Sequence, residues 1–62
     1  MRRNIEAERG RAGMTKTQVA KTLNISLTTY NAYINGSPIP SDKIIALAEL
    51  FGVSCDYLLG RS

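Results

Sequence analysis

The sequence predicts an all-α fold, five short helices in a single domain over 1–62, and three observations carry that reading. No run alternates apolar and polar residues long enough to make a half-buried strand. Apolar residues recur instead at helical spacing, as in Val19, Ala20 and Leu23, or Ile44, Leu47, Ala48 and Phe51. Helix starts and stops punctuate these stretches: Thr15, Ser26, Ser41 and Ser54 before them, and Gly13, Asn24, Asn35-Gly36, Gly52 and Gly60 after them.

The first helix is expected over about 2–12. Ile5, Arg9 and Ala12 share one of its faces, with Ala7 and Glu8 at its edges, so its apolar stripe is thin. Glu6 and Glu8 lie toward its start and Arg9 and Arg11 toward its end, which suits the helix dipole. Gly10 weakens its interior, and Gly13 fits the position just past its end. The second helix is expected over 16–23. Thr15-Lys16-Thr17-Gln18 reads as a capping box, in which Thr15 accepts from the Gln18 backbone and the Gln18 side chain reaches back. Asn24 follows Leu23 where the chain must leave that helix, and Asn tolerates the left-handed conformation such a stop needs. Ile25 is an apolar plug in the turn, and Ser26 caps a third helix over 27–35.

Ser37-Pro38-Ile39-Pro40 cannot be helical and reads as a connecting loop. Ser41 is expected to cap a fourth helix over 42–51, with Asp42 in its first turn. Its apolar residues are Ile44, Ile45, Leu47, Ala48 and Phe51. Ser54 caps a last helix over 55–59, with Val53, Tyr57 and Leu58 folding back onto the core.

Sixty-two residues bury only a small core, so helix packing must supply the stability, with dimerisation as a further source. The single cysteine, Cys55, excludes an internal disulfide and reads as a small, partly buried apolar residue. With no His, a zinc staple is excluded too. Apolar runs are too short for a transmembrane span, and Met1-Arg2-Arg3 is too short for a targeting signal; a cytoplasmic protein is expected. An enzyme is not expected, for there is no Gly-rich phosphate loop and no nucleophile with a base beside it. Glu6, Glu8, Asp42, Glu49 and Asp56 read as helix-terminal or exposed charges, and neither a cofactor nor a small-molecule ligand is implied.

The net charge is +3, and its distribution is uneven. Residues 1–37 carry Arg2, Arg3, Arg9, Arg11, Lys16 and Lys21 against Glu6 and Glu8. Residues 38–62 carry Lys43 and Arg61 against Asp42, Glu49 and Asp56. The basic half contains residues 15–36, two helices joined by a tight turn, a layout that fits a DNA major groove. On the third helix, Tyr30, Tyr33 and Ile34 form a core stripe. Thr28, Ala32 and Asn35 lie opposite, flanked by Asn31 and Thr29. No charged residue occurs from Ser26 to Gly36, so the usual Arg or Lys contact to guanine is missing from this helix. Asn31 has the chemistry for a bidentate adenine contact, and Thr28, Ala32 and the rim residue Leu27 for thymine methyl groups. Base contacts from Leu27, Thr28, Asn31 and Ala32 are therefore expected to lean toward A·T pairs. Phosphate contacts are expected from Lys16, Ser26, Thr29, Asn35, Arg11 and Lys21, with Arg2 and Arg3 as outer contacts.

The chain resembles the phage repressor and Cro type of helix-turn-helix, the xenobiotic-response-element family, over nearly its whole length. The resemblance rests on Gly13-Met14-Thr15, Val19-Ala20, Leu23-Asn24-Ile25-Ser26, Tyr33, Asn35-Gly36 and Pro40-Ser41. It continues through Leu47-Ala48, Phe51-Gly52-Val53-Ser54 and Asp56-Tyr57-Leu58-Leu59-Gly60. It implies a compact five-helix domain of the lambda-repressor-like type that binds double-stranded DNA, usually as a homodimer on a two-fold operator. It also implies that Leu27, Thr28, Asn31 and Ala32 read bases, and that the chain is a transcriptional regulator, a repressor that excludes polymerase from promoter DNA. The alternative is a protein-interaction module, an antitoxin or anti-repressor working through Tyr57, Leu58 and Leu59. Four positions depart from the family pattern. Lys16 stands for a phosphate-bracing Gln, and Asn24 for the turn Gly. Tyr30 stands for a small aliphatic residue, so its hydroxyl needs a partner or an exit to solvent. Ile34 stands for a Glu that pairs with an Arg of the first helix, which leaves Arg9 to a backbone carbonyl or to DNA.

Overall fold

In the computed structural model, which describes residues 1–60, the chain winds into five helices: α1 (Arg3–Arg11), α2 (Lys16–Thr22), α3 (Leu27–Ile34), α4 (Ser41–Phe51) and α5 (Cys55–Leu58). Arg61, counted above in the charge distribution, lies outside the described residues. Each helix falls where the sequence places it; α1, α2, α3 and α5 end a residue or so short of the expected bounds, and α4 starts one residue earlier.

Local chemistry sets most of the boundaries. At α2, the Gln18 amide donates to Thr15 Oγ1 at 3.1 Å and the Thr15 amide donates to Gln18 Oε1 at 2.7 Å, so the capping box is complete. Ser26 and Ser54 each accept from a backbone N–H three residues on, Thr29 and Tyr57, at 3.1 Å. α2 ends on Asn24, whose φ of 57° makes it the one non-glycine residue at positive φ among the described residues. That turn lets Ile25 N–H reach the Ala20 carbonyl and Asn24 N–H the Lys21 carbonyl, both at 3.0 Å. Two orphan carbonyls are thereby satisfied, and the chain is redirected into α3.

Two expectations need correction. Ser41 does not cap α4 but is its first helical residue; the flanking residue is Pro40, and no side chain caps the helix. The Pro40 carbonyl already accepts from Lys43 and Ile44 N–H at 3.0 Å, because the fixed proline φ lets the helix begin one residue earlier. The stripe assigned to the first helix is also shifted. Ile5 is fully buried, but Ala12 is exposed and Glu8 is buried in its stead. Glu6 is half-buried, so neither carboxylate of α1 is a freely exposed charge.

The reason is the position of α1, which touches both α3 and α5. Side chains four apart serve each neighbour. The Arg2 guanidinium donates to the carbonyls of Tyr33 and Ser37, and Glu6 Oε2 accepts from the Tyr30 hydroxyl at 2.8 Å; these hold α3. The Asn4 amide donates to the Tyr57 carbonyl, and Glu8 Oε2 accepts from the Tyr57 hydroxyl at 3.1 Å; these hold α5. α1 thus joins its neighbours largely through polar contacts, with Ile5 as its single apolar anchor in the core.

The core proper comprises Ile5, Val19, Ala20, Leu23, Tyr30, Ile34, Ile44, Leu47, Ala48 and Leu58. Tyr33 is buried as well, while Ile25, Phe51, Val53, Cys55 and Tyr57 pack on the periphery. No buried side-chain polar atom among the described residues lacks a hydrogen-bond partner. Among the described residues, no helix is long and apolar enough to cross a membrane, and no group of His, Cys, Asp or Glu is placed to hold a metal ion.

Candidate nucleic-acid interface

α2 and α3 pack on one another around the Leu23–Ser26 turn, and α3 divides cleanly into two faces. Tyr30, Tyr33 and Ile34 point inward, at 0%, 8% and 5% exposure. Leu27, Thr28 and Asn35 are exposed, and Thr29, Asn31 and Ala32 are half-buried. Leu27 is a large apolar side chain left 43% exposed at the start of the helix. The four residues expected to read bases therefore occupy the outward side of one helix, beginning at its N-terminus. Residues 22–41 contain no charged side chain, so this face is uncharged.

The Ser26 hydroxyl accepts from the Thr29 N–H and donates to Thr29 Oγ1 at 2.9 Å. Its own proton is used within the cap, which leaves the Thr29 hydroxyl proton to point elsewhere.

The basic residues are less uniform than the sequence suggests. Lys21 is exposed, with no ion pair among the described residues. Arg11 is mostly exposed and lies 3.6 Å from the Glu8 carboxylate. Lys16 Nζ lies 3.7 Å from Glu6 Oε1, drawn toward α1. Arg3 is exposed. Arg2, expected as an outer contact, is turned inward, because its guanidinium closes the carbonyl end of α3.

Arg9 and Tyr30 meet at the same carboxylate. Arg9 Nε donates to Glu6 Oε2 and its terminal nitrogen to the Met14 carbonyl, both at 2.8 Å. Of the two roles left open for Arg9, the carbonyl bond is the one it makes. Glu6, on its own helix, serves as the acidic partner that Ile34 cannot be. The same carboxylate accepts the Tyr30 hydroxyl, so a polar atom inside the core is satisfied. Burial pushes the Glu6 carboxyl upward, but hydrogen bonds from Arg9 and Tyr30 and the charges of Arg9 and Lys16 outweigh it, holding its pKa below the ordinary value. Burial and the bond to Glu6 drive the Tyr30 hydroxyl far above the usual tyrosine range.

Lys43 is a contact the sequence reading missed. Its Nζ donates to the Leu23 carbonyl at 2.8 Å, so α4 seals the end of α2. The only sequence signal was the orphan carbonyl itself, which every helix end has.

The helix-turn-helix family matches residues 5–58, which includes every helix but the first residues of α1. The chain is similar to an uncharacterized HTH-type transcriptional regulator, YobD, of Bacillus subtilis, 38% identical over 48 residues, 76% of this chain and 43% of the relative. It is similar to the cryptic phage CTXphi transcriptional repressor RstR of Vibrio cholerae, 35% identical with the same coverage. A third relative is the HTH-type transcriptional regulator ImmR of Bacillus subtilis, 33% identical over 95% of this chain and 47% of the relative. The chain thus spans less than half the length of these relatives. No solved structure matches it significantly. Family match, relatives and the five-helix architecture agree: the chain belongs to the Cro/C1-type helix-turn-helix family, a family of transcriptional regulators rather than enzymes.

Proposed function

We propose that residues 1–62 form a single DNA-binding domain of a cytoplasmic transcriptional regulator, a repressor that binds a two-fold operator as a homodimer. α3 lies in the major groove. Leu27, Thr28, Asn31 and Ala32 face base edges, and Lys16, Ser26, Thr29, Asn35, Arg11 and Lys21 face phosphates. The observation that carries this reading is the two-faced α3, which buries Tyr30, Tyr33 and Ile34 and turns outward an uncharged face of Leu27, Thr28, Asn31 and Ala32. A surface without long charged side chains approaches base edges closely, and its chemistry favours A·T pairs. The printed names of the relatives, a phage repressor among them, support the regulatory role. The interaction-module alternative has less to work with: Leu58 is fully buried and the Tyr57 hydroxyl is bound to Glu8, so that surface is largely consumed by the fold.

The test is duplex binding across a salt series, with wild type and Thr28→Ala. Phosphate neutralisation makes log affinity fall steeply and linearly with log salt. Thr28→Ala is expected to weaken binding to a selected site severalfold while leaving the salt slope and the melting temperature unchanged. Equal binding by wild type and variant, or a shallow salt dependence, contradicts the reading.

A further inference from the structure

Glu6 is the point where three helices meet, and its two oxygens are used unequally. Oε2 accepts both good hydrogen bonds, from the Tyr30 hydroxyl and from Arg9 Nε, at 2.8 Å each. Oε1 has only Lys16 Nζ, at 3.7 Å, beyond hydrogen-bond range. The carboxylate is therefore pinned from one side and cannot follow the lysine. Lys16 is the more exposed member, with a side chain 47% exposed against 19% for Glu6. It is also the first residue of α2 and one of the few cations beside an uncharged recognition segment. Of the three basic side chains proposed to meet phosphates, Lys16 and Arg11 each lie near a carboxylate of α1, and only Lys21 stands clear.

We propose that Glu6 tunes DNA affinity by competing with a phosphate for Lys16. In free protein the carboxylate neutralises part of the lysine charge; on DNA, Lys16 swings from Oε1 to the backbone, and the pair is given up. Glu6 is thus a positioning residue that acts through Lys16, and its pinned geometry lets the exchange proceed without disturbing Tyr30 or α3. This inference rests on the DNA-binding reading above.

The variant that tests it is Glu6→Gln. The amide keeps an oxygen for Tyr30 and Arg9 and places its NH2 toward Lys16, so the hydrogen bonds survive and only the charge is lost. A random-sequence duplex is the probe. Glu6→Gln is expected to bind it roughly threefold to tenfold tighter at about 0.1 M salt. The slope of log affinity against log salt should stay close to that of wild type, because Lys16 neutralises the same phosphate in both complexes and only the competition in free protein is removed. In a Lys16→Ala background most of the gain should vanish. A gain of the same size without Lys16, or no gain in a folded Glu6→Gln protein, overturns the proposal.

A second measurement needs no variant. Carbon NMR of the Glu6 carboxyl, titrated in free and duplex-bound wild-type protein, should show its pKa rise on binding as the lysine leaves; an unchanged titration overturns the proposal. Failure of the DNA-binding reading has its own signature, namely no retention of any duplex by wild type or variant.

Discussion

The two faces of α3 are built from the same eight-residue helix and answer to different demands. The inner face is two aromatics and an isoleucine, sealed against α1, α2 and the core; the hydroxyl of its deepest member, Tyr30, ends on Glu6. The outer face is leucine, threonine, asparagine and alanine, and none of these side chains appears among the ties that hold α3 to the other helices. The contrast teaches that the fold holds this helix from behind. α1 grips it at Tyr30 and at its carbonyl end, and Ser26 caps its start. The outer face is left free to be chosen for something other than stability.

That separation can be broken or sharpened by substitution. Ile34→Ala on the inner face should have the largest effect, a loss of about 2–5 kcal/mol of folding stability. In a domain this small, urea denaturation should find much of the chain unfolded; a loss under about 1 kcal/mol would mean that the inner face is not core. Asn31→Ala on the outer face should cost about 1–3 kcal/mol of discrimination at a selected site. Its melting curve should overlay that of wild type, and a large drop in melting temperature would show that the two faces are not separable.

Tyr30→Phe removes the hydroxyl between α3 and Glu6 and should cost about 1–2 kcal/mol of stability. Its pH dependence carries a sign. The Glu6 carboxyl is held below its ordinary value of 4.5, so its contribution is present above that pH and lost as pH falls through the lowered folded value. Wild type should therefore lose stability on acidification below 4.5, and Tyr30→Phe should lose less. The Tyr30 hydroxyl, with its raised pKa, adds stability that is full below its ordinary value of 10.0 and declines as pH rises above it; Tyr30→Phe should flatten that limb. Identical pH profiles for the two proteins would remove Tyr30–Glu6 from the account. The smallest effect is expected for Asn24→Gly, which relieves the left-handed turn at the cost of a freer unfolded chain, a net change of about 0.5 kcal/mol or less. A loss of more than about 1 kcal/mol would show that the Asn24 side chain itself holds the turn.

The division of α3 was legible in the sequence because it is local. A 3.6-residue period fixes which side chains share a face, and a cap reaches only three residues along the chain. The same holds for the Thr15–Gln18 box and the turn at Asn24. What sequence reasoning missed lies far apart along the chain. Tyr30 and Glu6 are 24 residues apart, Arg2 and Tyr33 are 31, and Glu8 and Tyr57 are 49. Glu8 looked like a surface charge because burial of a carboxylate depends on a partner that only the tertiary fold brings to it. Arg2 looked like a DNA contact for the same reason, since nothing near it in sequence announces the open carbonyls of α3. Ser41 is a different case. A serine beside a proline has two plausible helix starts, and the proline carbonyl took the role.

The central claim is that the outer face of α3 selects sequence while the basic flank supplies affinity. Its most direct test is selection of duplexes from a random pool at near-physiological salt, with wild type and Asn31→Ala in parallel. Wild type should enrich an A·T-leaning palindrome with half-sites about one helical turn apart. Asn31→Ala should relax the preference at one position of each half-site and keep the rest. Enrichment of obligatory G·C pairs at every contacted position, or the same site from both proteins, would contradict it.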